Sequence, residues 1–251
     1  MNANIKEIGH VSFKLKNKDA FTDWYQNTLG LKVGFILQKN PGEDYIIYYN
    51  LNRGQFIEIF PETSFLTWAD YDGNNQEEKY SYQYAVLGTG EGKRMIDPEN
   101  NKWIVNEGEK YISKVVYHVK NLERSIHFYT DIYELDVARI DDTTAHVIVN
   151  EYQVIELQEY DYPENNCTNN KGQCHYALIV NDIVKFAEDM VNKGIQLYHG
   201  PKLMNKPYTG PYVLEKHSEN TYNFYMQDPD DNEIEVMCYS EDSFQVKYAI
   251  Q

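Results

Sequence analysis

The chain repeats one short unit, and this repetition limits its fold more than any other feature. Residues 6–60 begin KEIGHVSFKLKNKDAFTDWYQNTLGLKV, and residues 110–157 begin KYISKVVYHVKNLERSIHFYTDIYELDV. Each stretch first alternates apolar and polar residues, as a half-buried strand does, and then spaces its apolar residues as a helix does. Three further strand-like runs follow in each copy. Repetition at this length predicts a supersecondary unit that buries its apolar face against its own copies.

Two more stretches follow the same plan. A unit beginning at Cys174 has a strand, a helix that is predicted to end at Gly194, and the final strands TYNFYMQ and NEIEVMC. Gly30 is predicted to end the helix of the first unit in the same way, because glycine readily adopts the left-handed conformation after a helix. Residues 79–107 share the first and last strands of this plan, but only the short segment GTGEGKRMI separates them. We therefore expect this unit to lack its helix and middle strands.

These four units predict an α+β protein made of tandem βαβββ modules in two domains. We place the first domain at 1–109, with a degenerate second half at 79–107. The second domain is placed at 110–251, with modules at 110–160 and 172–241.

Composition narrows the classes of partner and compartment. The formal net charge is −16, which disfavours binding to nucleic acid or to an anionic membrane. No apolar run approaches the roughly 20 residues of a membrane span, and the first residues have no signal-peptide core. The three cysteines include no CxxC pair, so a zinc knuckle is not expected. We expect a cytoplasmic protein.

One phrase occurs twice with a single informative difference. Residues 228–237 read DPDDNEIEVM and residues 97–105 read DPENNKWIV, so that Glu235 stands where the earlier copy has Ile104. A carboxylate in the middle of an apolar strand must be paired, metal-bound or open to water. A solvated strand face would satisfy this requirement. The repetition of FIEI, VIEL and EIEV at the ends of three units makes a functional site an equally good interpretation of these carboxylates.

Each unit thus has one candidate site residue on its first strand and one on its last strand. In chain order the pairs are His10 and Glu58, Gln83 and Ile104, Lys114 and Glu156, and His175 and Glu235. Histidine nitrogen and carboxylate oxygen are ligands of divalent metals such as Zn, Mn, Ni and Fe.

The sequence resembles the vicinal oxygen chelate superfamily, which includes glyoxalases, extradiol ring-cleaving dioxygenases and bleomycin- or fosfomycin-resistance proteins. The stretches that carry the resemblance are IGHVSFKLKNKDAFTDWYQNTLGLKV, ISKVVYHVKNLERSIHFYTDIYELDV, HYALIV and DPDDNEIEV. The resemblance implies that two modules close a U-shaped sheet around a cavity. It also implies a divalent metal, held there by the first and last strands of each module.

Carried onto this chain, the resemblance places the metal site in the second domain. The ligands there would be Glu156, His175 and Glu235, with Lys114 in the remaining position. Lys114 has two interpretations. It is either a cation that replaces the metal, or a group that contacts the substrate by binding an anion or by acting as a base. Glu156 and Glu235 would double as proton shuttles. A second candidate set, in the first domain, is His10, Glu58 and Gln83; each set lacks one ligand.

The first functional hypothesis is a metal-dependent enzyme, a lyase or oxidoreductase of the glyoxalase/dioxygenase type, that acts on a small molecule bound through vicinal oxygens. The alternative is a metal-free protein that binds an antibiotic-like molecule, as resistance proteins do. Metal content would distinguish the two. The sequence leaves open whether the modules pair within one chain or between the chains of a homodimer.

Overall fold

The structure is a computed structural model that describes residues 4–15, 18–40, 43–61, 84–98, 101–160, 175–199, 219–230 and 232–249. It is an α+β protein with two seven-stranded sheets and short helices, which confirms the predicted fold class.

The first sheet, sheet A, combines strands from the two ends of the chain. Its strands are β1 (Ile5–Leu15), β2 (Lys32–Asn40), β3 (Glu43–Asn50), β4 (Phe56–Pro61), β12 (Tyr176–Val180), β13 (Thr221–Gln227) and β14 (Glu233–Tyr239). They lie in the order β13-β14-β12-β1-β4-β3-β2.

The second sheet, sheet B, is built from the middle of the chain. Its strands are β5 (Tyr84–Leu87), β6 (Gly92–Ile96), β7 (Lys102–Asn106), β8 (Ile112–Val119), β9 (Asp136–Arg139), β10 (Thr144–Ile148) and β11 (Val154–Glu159). Their order is β6-β7-β5-β8-β11-β10-β9.

The helices also repeat. α1 (Lys18–Asp23) and α2 (Leu122–His127) each continue into a π-helical turn, at Trp24–Thr28 and Phe128–Ile132. The remaining helices are α3 (Ile183–Asn192) and α4 (Phe244–Tyr248), and a 3₁₀ turn spans Asn52–Gly54. Gly30 and Gly194 have φ angles of 68° and 82°, so both predicted helix ends are confirmed. No helix in the described ranges has the length and hydropathy that crossing a bilayer requires.

The pairing of the modules differs from the predicted domains. Sheet A joins the first module to the last, because β1 lies antiparallel to β12, and sheet B joins the two middle modules through β5 and β8. The predicted partners, within 1–109 and within 110–251, are therefore wrong. Similar modules have similar first strands with similar free edges, so the repeat itself does not say which copies pair. Both sheets are completed within one chain.

The shortened module can be followed only in part. Residues 84–98 and 101–107 contain three strands and no helix. β6 lies between the first and last strands of this unit, so the expected loss of every middle strand is wrong. The loss of the helix stays a prediction, since residues 79–83 and 99–100 of the unit lie outside the described residues.

Both sheets share one hydrophobic core with helices α1 to α3. Two buried glutamines tie the sheets together across it. The side chain of Gln153 accepts a hydrogen bond from Ile8 N at 2.8 Å and donates to Ile8 O and Ile112 O at 3.0 and 2.8 Å. Gln55 accepts a bond from Ile112 N at 2.7 Å. The bonds of Gln153 link β1 of sheet A to β8 of sheet B, and the bond of Gln55 links the residue before β4 to β8.

The repeated DP phrase forms the same turn in both sheets. The carboxylate of Asp228 accepts bonds from the backbone and side-chain amides of Asn232, at 2.9 and 2.7 Å. Asp97 accepts the equivalent bonds from Asn101 at 2.8 and 2.7 Å. The phrase is therefore repeated because its aspartate and asparagine close the turn before the last strand of a module.

Candidate metal centre

Four side chains from the two candidate sets meet on the face of sheet A that is opposite the shared hydrophobic core. They come from adjacent strands in the order β14-β12-β1-β4: Glu235 on β14, His175 just before β12, His10 on β1 and Glu58 on β4. Ala177 lies opposite both His10 and Glu235 in the register, two residues after His175. Because strand residues alternate between faces, this register directs the side chains to one side.

The ligating atoms of this quartet are close together and buried. His10 Nε2 lies 3.3 Å from His175 Nε2, 3.2 Å from Glu58 Oε2 and 3.0 Å from Glu235 Oε2. His175 Nε2 lies 3.1 Å from Glu235 Oε2 and 3.4 Å from Glu58 Oε2. None of the four side chains is more than 4% exposed. Within the described residues, this is the one group of His, Cys, Asp and Glu that could hold a metal ion.

These separations fit a divalent metal. Ligands at about 2.0–2.1 Å from one tetrahedral ion lie roughly 3.3 Å from one another, by the geometry of a tetrahedron. The distances of 3.0–3.4 Å between the facing atoms of the quartet lie around that value. Two imidazole nitrogens and two carboxylate oxygens form a donor set suited to Zn, Mn, Ni or Fe. The residues present therefore fit such an ion.

Neighbouring polar groups orient three of the four ligands. The Tyr48 hydroxyl donates to Glu58 Oε1, and Asn223 Nδ2 donates to Glu235 Oε1 at 2.5 Å. Ser12 Oγ lies 2.9 Å from His175 Nδ1 and accepts a bond from the His175 backbone N–H at 3.0 Å. With Nδ1 bonded to Ser12, the Nε2 of His175 is left facing the centre. Such partners fix the orientation of metal ligands and strengthen them.

The electrostatics of the quartet show that it favours bound positive charge. Burial alone would lower the pKa of His10, but the charges and hydrogen bonds of Glu58 and Glu235 raise it to about 10. The pKa of His175 is raised against the same burial penalty by the same two carboxylates. Burial would raise the pKa of Glu58, yet His10 and His175 hold it below its usual value. Without a metal, protons on the imidazoles balance the buried carboxylates.

This balance predicts how pH affects the metal-free protein. His10 stays protonated in the folded state up to about pH 10, whereas in the unfolded chain it loses its proton near 6.5. Its contribution to stability is therefore complete below pH 6.5 and is lost as the pH rises toward 10. We expect the melting temperature of the metal-free protein to fall across this interval. Thermal unfolding followed by circular dichroism at several pH values measures it.

The zinc-loaded protein is the control for this pH dependence. A bound divalent ion replaces the protons as the counter-charge, so we expect a smaller fall across the same interval. Equal slopes for the loaded and metal-free protein would contradict the prediction.

An aromatic wall adjoins the quartet on the same face. It is a buried cluster against which Phe244 of α4 and Ala249 pack, and its members are Phe35, Leu37, Ile46, Tyr48, Phe56 and Phe60. The ring of Phe60 lies 6.3 Å from that of His175, and the ring of Tyr48 lies 6.2 Å from that of His10. The centre therefore has an apolar boundary on one side.

The structure separates residues that the predicted sets had combined. Glu156 and Lys114 are in sheet B, where Lys114 pairs with Glu156, so the set of Glu156, His175 and Glu235 is wrong in Glu156. The reason is the pairing of β12 with β1 instead of β8. A site confined to the second domain is wrong for the same reason. Gln83 of the second set lies outside the described residues.

Sequence reasoning missed the residues that orient the ligands. In the sequence, Tyr48 is one of several aromatic residues in a strand-like run, and Asn223 carries no signal in TYNFYMQ. Tyr48 lies opposite Glu58, and Asn223 lies opposite Met237, two residues from Glu235, so only the strand pairing reveals their roles.

Comparison with known proteins agrees with this geometry. A family model for the Glyoxalase/Bleomycin resistance protein/Dioxygenase superfamily matches residues 111–236, just over half of the chain. The chain belongs to this superfamily. No curated protein matches the sequence.

Solved structures of the superfamily fold superpose on nearly the whole chain. Glyoxalase I from Zea mays aligns with a TM-score of 0.60 and 17% identity, over 92% of this chain and 92% of that one. A provisionally named dioxygenase from Bacillus subtilis aligns with a TM-score of 0.69 and 12% identity, over 98% of this chain and 89% of that one. At these identities the likeness shows the shared fold alone.

Proposed function

We propose that the protein is a metal-dependent enzyme that acts on a small molecule bound through two neighbouring oxygens at the centre in sheet A. The observation that carries the proposal is the buried quartet of His10, Glu58, His175 and Glu235, in which the two imidazoles lie 3.0–3.4 Å from each other and from the carboxylates. Two buried carboxylates are costly without a compensating cation. A divalent ion held there supplies Lewis acidity toward substrate oxygens.

The chain's own groups perform the remaining tasks in this proposal. The hydroxyl of Tyr48 holds a proton beside Glu58 Oε1, because burial and the neighbouring carboxylates raise the pKa of Tyr48 well above its usual value. Glu58 can accept a proton from a bound molecule and return it, while the bond from Tyr48 orients its carboxylate. The buried aromatic wall keeps water from one side of the centre.

A binding experiment tests whether metal and vicinal oxygens act together. We expect nitrocatechol, which has two adjacent oxygens, to bind the zinc-loaded protein and to lose at least about ten-fold in affinity when the metal is removed. Nitroresorcinol is the matched probe, since its oxygens are not adjacent. Absorbance titration measures both.

Equal binding of nitrocatechol with and without metal would overturn the proposed function. It would favour the metal-free binding protein instead. Once binding is established, oxygen uptake with catechol by the Fe(II)-loaded protein would support an oxidoreductase; iron is needed because Zn²⁺ has no redox chemistry.

A further inference from the structure

Sheet B has a face that the repeat relates to the face of sheet A that carries the metal centre. In sheet A, Ala177 lies opposite His10 and beside Glu235. In sheet B, Val86 lies in the same way opposite Lys114 and beside Ile104. The sheet B residues that correspond to His10, Glu58, His175 and Glu235 are Lys114, Glu156, Tyr84 and Ile104. The register thus assigns Tyr84, not Gln83, to the position of His175.

On this face of sheet B, the side chains at the metal-ligand positions include a carboxylate that is paired with neighbouring side chains. Glu156 accepts bonds from Lys114, from His146 Nε2 at 2.7 Å and from Gln158 Nε2 at 2.6 Å. Burial would raise the pKa of Glu156, but the bonds from Lys114 and His146 lower it, so the carboxylate stays charged. Ile104 offers no ligand atom. The carboxylate of this face is therefore already neutralised from within.

A cavity of about 410 Å³ opens beside this pair. Its lining includes two cations, a tyrosine, a histidine and apolar side chains; these are Arg94, Lys102, Tyr84, His118, Ile96 and Ile104. No carboxylate is among the lining residues that the structure describes. This composition contrasts with the formal net charge of −16 of the chain.

The polar groups of the cavity come from separate strands and face a common space. Arg94 on β6 is close enough to act electrostatically on Tyr84 of β5, and Lys102 on β7 acts in the same way on His118 of β8. The ring of His118 stacks on that of Tyr160, 4.8 Å away and 11° from parallel, which holds its orientation. The cavity therefore has cationic groups on two strands around a partly apolar floor.

We propose that this cavity is a second ligand site, separate from the metal centre, for a small organic anion with an apolar body. The anionic group, a carboxylate or a phosphate ester, is bound by the Arg94 guanidinium and the Lys102 ammonium, and the apolar body packs on Ile96 and Ile104. Guanidinium and ammonium groups form charge-assisted hydrogen bonds with both kinds of anion. The cavity volume of about 410 Å³ is within the usual range for a small-molecule pocket.

The test uses the full-length, zinc-loaded protein and calorimetric titration with benzoate and phenyl phosphate. We expect saturable binding of at least one probe, weakened about ten-fold or more in the variant Arg94→Gln/Lys102→Gln, because each charge-assisted bond lost costs about a factor of ten. Benzyl alcohol, the neutral probe, should bind more weakly than either anion. The tighter of the two anions identifies the chemical group that the site prefers.

The control variant is Lys93→Gln, which removes one charge from the same strand. Lys93 neighbours Arg94 on β6 and therefore projects to the opposite face. We expect it to leave benzoate and phenyl phosphate binding unchanged. The single variants Arg94→Gln and Lys102→Gln repeat the measurement if the double variant unfolds.

The part of nitrocatechol binding that is lost on metal removal separates the two sites, because any binding of this anion to the cationic cavity does not depend on the metal. That part should be unchanged in Arg94→Gln/Lys102→Gln, because these residues are in the other sheet. Equal anion affinity in the parent and this variant would overturn the second site, as would the absence of saturable binding of both anions. Neither result would bear on the metal centre.

Discussion

Replacing Glu58 with alanine is expected to lower the affinity of the protein for Zn²⁺ by at least about 100-fold, since removal of a group that only orients a ligand already costs 10–100-fold. Glu58 Oε2 lies 3.2 Å from His10 Nε2 and 3.4 Å from His175 Nε2, so its loss opens one side of the quartet. Competition with a chromophoric chelator measures the affinity, and elemental analysis of the purified protein measures the metal content.

Glu156→Ala is the matched control for Glu58→Ala. Glu156 has the equivalent position in sheet B, next to Val116 in the register as Glu58 is next to Ser12. It pairs with Lys114 and His146 and contacts no member of the quartet in the bonds that the structure gives it. We expect Glu156→Ala to bind Zn²⁺ as the parent does. A similar loss in both variants, or none in Glu58→Ala, would refute the assignment of the centre to sheet A.

Replacing Gln153 with alanine is expected to lower the free energy of unfolding by about 3 kcal/mol, because three bonds to backbone groups are lost at about 1 kcal/mol each. Gln153 is only 1% exposed, and its partners Ile8 and Ile112 belong to different sheets. The backbone groups that it leaves are buried, so water cannot easily replace the side chain. Urea unfolding monitored by fluorescence gives the change.

Gln158→Ala serves as the comparison for Gln153→Ala. Gln158 is half-buried and donates to Glu156 within the same strand, at 2.6 Å. Gln158 also hydrogen-bonds with Tyr84 and His118, which are only half-buried, so water can replace the side chain there. We therefore expect Gln158→Ala to cost about 1 kcal/mol or less. An equal decrease in the free energy of unfolding in both variants would contradict the role of Gln153 in holding the two sheets together.

Local elements could be predicted well from particular residues. The helix ends at Gly30 and Gly194 follow from the conformational freedom of glycine, which is a local property. The strand alternation around Val11 and the DP phrase at Asp228 are equally local, and the structure has a strand and a turn at those positions. Such features depend on neighbours in sequence, so reading the chain was sufficient.

The candidate site could be predicted only as separate halves. His10 and Glu58 belong to one module and His175 and Glu235 to another, and each pair was identified from the repeated strand pattern. What joined them was the antiparallel pairing of β1 with β12, which brings residues 165 positions apart to within 3.3 Å. Assigning the pairs to consecutive modules placed Glu156 where Glu58 belongs.

The sequence by itself determined the module, its repetition, the two-sheet fold class and the residue types that could ligate a metal, because these depend on periodicity and on side-chain chemistry. Only the tertiary structure decided which modules share a sheet, and therefore that the four ligands form one centre and that the related face has the Lys114–Glu156 pair. Similar modules present similar edges to one another. Which two modules pair depends on how all the apolar faces of the chain are buried together, and no single repeat specifies this.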